Sequence, residues 1–126
     1  MLKILFSILL AKPCLDTKPS LNIEQFTLQN GLQVYLIPNY LGPIVSVNLC
    51  YKVGTADDPL AIVGISHFLE HLMFKGSKNF PGSTFTKTMA TRGAMINAFT
   101  TFDYTNYTAD IDVKFLPELL QMEADR

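Results

Sequence analysis

Polar and apolar residues alternate along IVSVNLCYKV, residues 44–53: Val45, Val47, Leu49 and Tyr51 fall on one side and Ser46, Asn48 and Lys52 on the other, with Cys50 the apolar exception. A period of two predicts a half-buried strand. Upstream, EQFTLQNGLQVYLIP carries two β-prone stretches around Asn30 and Gly31, a strong hairpin signal that predicts strands at 25–29 and 32–37. The prolines of 38–43 break the pattern, and GTADDPLAIVG reads as a loop with Gly54, Asp57, Asp58 and Pro59 as turn formers. The period then changes. Ile65, Phe68, Leu69 and Leu72 recur at helical spacing until Lys75 and Gly76 close the helix. After the loop SKNFPG, a second helix is expected from Ser83 as its cap to Gly93 as its stop. AMINAFTTFDYTNYTADI predicts two strands meeting at Phe102 and Asp103. VKFLPELLQMEADR predicts a last helix with Pro117 in its first turn. Three strands, two helices, two strands and a helix, without repeats, predict an α+β fold in which helices pack on a mixed sheet.

Composition narrows the function. The 126 residues are 48% hydrophobic and 17% charged with a formal net charge of -1, which excludes a disordered tail and supplies no basic block for nucleic acid. Residues 1–20 have the layout of a secretory leader: a lysine, an apolar run at 4–11, then a polar segment with proline. The run is too short to span a bilayer, so no transmembrane helix is expected in the mature chain. It lacks a small-x-small cleavage site, which leaves a buried terminal segment as the competing reading. The first arginine is Arg92, which argues against a mitochondrial transit peptide. LLQMEADR stops inside a helical pattern, so residues 21–126 read as the truncated first part of a domain. Cys14 and Cys50 predict no structural disulfide, and Met73, Met89, Met95 and Met122 are expected as core filler.

Both histidines of the chain fall in GISHFLEHLMFKG. His67 and His71, four apart on a helix, lie about 40° apart around the axis and one turn apart along it, close enough to share one ion. Zinc accepts imidazole nitrogens in a tetrahedral site, and such a pair fills two positions without rearranging the backbone. Glu70 sits about 60° to the other side of His67, better placed to take a proton from a metal-activated water than to be a third ligand. The order H-x-x-E-H is the inverzincin pattern. A structural zinc site, closed by four Cys or His ligands, would leave that acid without a use.

LQNGLQVYLIPN, YKVGTADDP, GISHFLEHLMFKGS and GAMINAFTTFDYTNY together resemble the pitrilysin/insulinase zinc peptidases, a family that includes mitochondrial processing peptidase and small bacterial zinc proteases. The resemblance covers about residues 25–126. It implies a metalloendopeptidase with one zinc ion, His67 and His71 as ligands and Glu70 as general base. It also implies that Asn97, Ala98, Phe99 and Thr100 form an edge strand that binds an extended peptide or small protein by main-chain pairing, with Asn97 as a polar anchor. The family's third ligand, a glutamate on a later helix, and its second, substrate-clamping domain lie beyond Arg126; Glu118 and Glu123 do not match that ligand. The alternative is a catalytically inactive fragment, or a non-catalytic subunit paired with a second peptidase-family chain. With the leader, the resemblance points to an exported protein of the bacterial periplasm.

Overall fold

In a computed structural model, the described residues are the backbone of Lys3–Leu5 and residues 22–126. The rest of the expected leader, with Cys14, lies outside the described residues. Strands β1 (Lys3–Leu5), β2 (Glu24–Thr27), β3 (Gln33–Leu36), β4 (Ile44–Tyr51), β5 (Met95–Thr100) and β6 (Thr105–Asp112) form one mixed sheet in the order β2-β3-β1-β4-β6-β5. β1 runs parallel to β3 and antiparallel to β4, and therefore separates two strands that are consecutive in the main body of the chain. Helices α1 (Ile65–Leu72), α2 (Thr84–Thr91) and α3 (Leu116–Asp125) complete the α+β fold.

The alternation in β4 does what its pattern requires. Val45 and Val47, with Val34 of β3 and Ala109 and Ile111 of β6, meet Phe85 and Met89 of α2 and Leu119 and Met122 of α3 in a single buried cluster. On the opposite face, Ser46 donates to Asp110 and Asn106, itself buried, donates to Asn48, polar cross-strand pairs.

Several sequence expectations change in detail. The hairpin pairs Thr27 with Gln33, so its loop is wider than the Asn-Gly dipeptide, and only Gly31 takes a positive φ, 85°. Asn30 instead accepts the Leu32 amide through its side chain. Residues 54–64 contain two short 3-10 turns, Thr55–Asp57 and Leu60–Ile62. Ser83 precedes α2 without a side-chain cap bond; its carbonyl takes the Lys87 amide and the Thr86 hydroxyl. Met89 and Met122 are core, but Met95 is 75% exposed because it lies on the outer face of β5, opposite the helices. Cys50 is half-buried. Gly76, expected as a helix stop, lies four residues beyond Leu72, and a side chain there would strike the backbone of Pro81 and Gly82.

Candidate active site

The helix carrying the histidines is clamped at both ends. At its start, Asp58 accepts the amides of Gly64 (2.6 Å) and Ser66 (3.1 Å) and the Ser66 hydroxyl, while that hydroxyl also reaches the Gly54 carbonyl. The Ser66 hydroxyl, followed by the Gly64, Ser66 and Ile65 amides, holds the Asp58 carboxyl below its ordinary range. Gly54 is itself fixed against the β5–β6 turn, where Thr55 and Ala56 donate their amides to the carbonyls of Thr101 and Phe102, both at 2.9 Å. At the other end, Arg126 donates to the Met73 carbonyl, pairs in a bidentate fashion with Glu123, and lies over the rings of Phe85 (4.3 Å), Tyr107 (4.7 Å) and Phe74 (5.1 Å). Desolvation beneath this end pushes the Tyr107 phenol up to about 12, against the opposing pull of Arg126.

The inward face of α1 is polar. Phe68 and Leu69, which help set the helical period in the sequence, are 57% and 52% exposed, whereas Glu70 is 6% exposed. Ser66 and Glu70, four apart, face inward instead, Ser66 toward Asp58 and Gly54 of the preceding loop and Glu70 toward the sheet. For Glu70 the partner is Thr100 of β5, whose hydroxyl donates to Glu70 Oε2 at 2.6 Å. His67 and His71 stand exposed on the helix with ring centroids 4.6 Å apart and planes tilted by 44°. Two adjacent imidazoles are the donor set zinc favours and would fill two of its four positions. No third His, Cys, Asp or Glu joins them among the described residues. Glu118 is paired with Arg92, and Glu123 with Arg126.

Among the described residues, strand β5 ends the sheet and one of its sides is unpaired. The Thr101 amide donates to Tyr104 O, closing the hairpin with β6. By the alternation of an antiparallel ladder, bonded pairs then fall at Phe99/Asn106 and Asn97/Thr108, and the backbone groups of Ile96, Ala98 and Thr100 point to the open side. Asn97 and Phe99 project from the face opposite Thr100. The Asn97 side chain folds over the edge, where Oδ1 accepts the Ala98 amide at 2.9 Å. The four expected substrate-strand residues thus divide by role in the free protein: Ala98 offers edge backbone, Asn97 covers part of it, Phe99 stacks edge-on against Tyr104, and the Thr100 side chain turns inward to Glu70. The Thr100 contact and the Asp58 clamp were not anticipated. A threonine three residues after an asparagine in a strand carries no sequence signal of a partner thirty residues away.

An H-x-x-E-H helix laid over a sheet beside an open strand edge defines a metallopeptidase-like α+β domain. The chain belongs to the insulinase family, peptidase family M16, whose sequence profile matches residues 33–126. It is 38% identical over 104 residues to the zinc protease PqqE of Helicobacter pylori, covering 81% of this chain and 23% of that protein. Among solved structures, a protease from Helicobacter pylori superposes with a TM-score of 0.80 at 36% identity, covering 84% of this chain and 25% of the other. The periplasmic protease PqqL from Escherichia coli superposes with a TM-score of 0.77 at 25% identity, covering 82% and 12%. The chain therefore spans a quarter or less of the length of these relatives. No helix among the described residues is long and apolar enough to cross a membrane.

Proposed function

We propose that this chain is the zinc-binding, substrate-pairing segment of a zinc-dependent endopeptidase that hydrolyses peptides or small proteins bound as an extended strand. The observation that carries the reading is the pair of adjacent imidazoles, His67 and His71, on the same helix as Glu70, beside the open edge of β5. The edge groups of Ile96, Ala98 and Thr100 pair with substrate backbone, which tolerates many side chains. Entry of a peptide displaces the Asn97 side chain from the Ala98 amide and frees it as an anchor. Glu70 takes a proton from the attacking water and delivers it to the leaving amine. His67 and His71, with a further carboxylate from outside this segment, would hold a zinc ion, which would polarise the carbonyl and lower the pKa of water. A second peptidase-family domain or subunit closes the other wall of the site. The periplasmic setting of PqqL supports export to the bacterial periplasm.

The experiment measures zinc content and peptide cleavage in the full-length protein. Glu70→Gln keeps zinc and loses hydrolysis by about 10²-fold or more, because the amide preserves shape but takes no proton. His67→Ala or His71→Ala loses both. The 126-residue chain alone holds zinc weakly and cleaves little, having two ligands and one wall. A Glu70→Gln protein that cleaves at the parental rate overturns the reading.

A further inference from the structure

We infer that Thr100 is a positioning residue for Glu70: it holds one carboxylate oxygen still and leaves the other to take the proton. The inference rests on the peptidase reading above and adds a role for a side chain that sequence alone places in the substrate strand.

The hydrogen assignment is forced by counting. Thr105 Oγ1 lies 3.0 Å from the Val53 carbonyl and 3.4 Å from Thr100 Oγ1, and its single hydrogen goes to the nearer, better acceptor. The Thr100 hydrogen is then directed at Glu70 Oε2, 2.6 Å away, a short bond of the kind expected between a hydroxyl and a carboxylate. Among the described residues Glu70 Oε1 accepts no hydrogen bond, yet it is not among the sealed, unpartnered polar atoms. One oxygen is fixed and the other stays open. A base buried to 6% exposure loses the freedom to swing that a surface glutamate has, so its aim depends on whatever holds Oε2.

Thr100 is well mounted for this. Its backbone belongs to the last position of β5, beside the turn whose Thr101 and Phe102 carbonyls hold Thr55 and Ala56. Those residues lead to Asp58, which fixes the start of α1. The base and its holder are therefore tied to the same turn by two routes, one through the strand and one through the loop and helix.

The test compares Thr100→Val and Thr100→Ser in the full-length protein, with Glu70→Gln as reference, and measures kcat, KM and zinc content. Valine keeps the shape and removes the hydroxyl. It is expected to lower kcat about 10- to 100-fold, the scale of a lost hydrogen bond to a charged group, with KM and zinc content unchanged. Serine, which restores the donor, is expected to return kcat to within about threefold. A valine variant with parental kcat overturns the inference. So does one whose loss appears in KM alone, which would make Thr100 a substrate contact, and so does one that loses its zinc, which would make it structural support for the metal site. Failure of serine to rescue also overturns it. A parent that does not cleave at all, or a Glu70→Gln variant that cleaves normally, instead removes the peptidase reading on which the inference stands.

Discussion

Replacing Gly54 by alanine would drive a methyl group into the β5–β6 turn. The backbone there is extended, with φ of -149°, so the substitution costs nothing in conformation and everything in space. A Cβ at this position would lie 2.5 Å from both the Thr101 carbonyl oxygen and the Phe102 carbonyl carbon, and closer still to the Phe102 oxygen. None of these is the end of a flexible side chain. Restoring contacts of 3.0 to 3.4 Å, the tight end of what real Cβ atoms show, requires the loop and turn to part by at least about 0.5 to 0.9 Å. The two 2.9 Å bonds from Thr55 and Ala56 would then stretch to about 3.4 to 3.8 Å, beyond useful hydrogen bonding. Two lost backbone bonds in a close-packed corner cost about 2 to 4 kcal/mol together. Amide hydrogen exchange reads this directly: protection of Thr55 and Ala56 should fall by about 30-fold or more, since 1.4 kcal/mol is a factor of ten. The Ser66 hydroxyl, which reaches the Gly54 carbonyl, transmits the shift to the start of α1. Protection at Thr55 and Ala56 within about twofold of the parent would show that the loop yields freely, and would refute the claim that this corner sets the position of the histidine helix.

The two methionines 89 and 95 provide a paired check on burial. Met89→Ala, at a fully buried position between sheet and helices, should cost about 2 to 5 kcal/mol, whereas Met95→Ser on the exposed face should stay within about 0.5 kcal/mol, both read by denaturant unfolding. Acidification should loosen the start of α1. Because the Asp58 carboxyl titrates lower in the folded protein than in the unfolded chain, its contribution is complete above the unfolded value and is lost as pH falls through the folded one. Thermal melting followed across that acid range should fall less steeply for Asp58→Asn than for the parent; parallel slopes would remove Asp58 as the clamp.

Local periodicity carried much of the fold into the sequence, and its failures have one cause. The alternation at 44–53 located β4 to within two residues, because a strand buried on one face must write its pattern into consecutive positions. The apolar repeat located α1 equally well but left open which side faces the interior. A helix period states that one side differs from the other, and the choice of side depends on the partner: here a threonine hydroxyl from β5 and a carbonyl from Gly54 make the polar side the inward one. The insertion of β1 between β3 and β4 is a long-range pairing that no neighbouring residues encode. At the candidate site, His67, Glu70 and His71 were legible because one helix presents all three within five residues. Asn97 and Thr100 were legible as strand residues only. Which way each points follows from the hairpin register set at Thr101 and Tyr104, and that register is fixed by the turn rather than by either residue.

Whether His67 and His71 together hold a catalytic zinc is decided by zinc-edge X-ray absorption on the purified full-length protein and on His71→Ala. The expected result is one zinc per chain with two imidazole nitrogens at about 2.0 to 2.1 Å and oxygen in the remaining positions, and loss of bound metal when His71 is removed. Sulfur in the first coordination sphere, or a zinc signal that His71→Ala leaves unchanged, would contradict it.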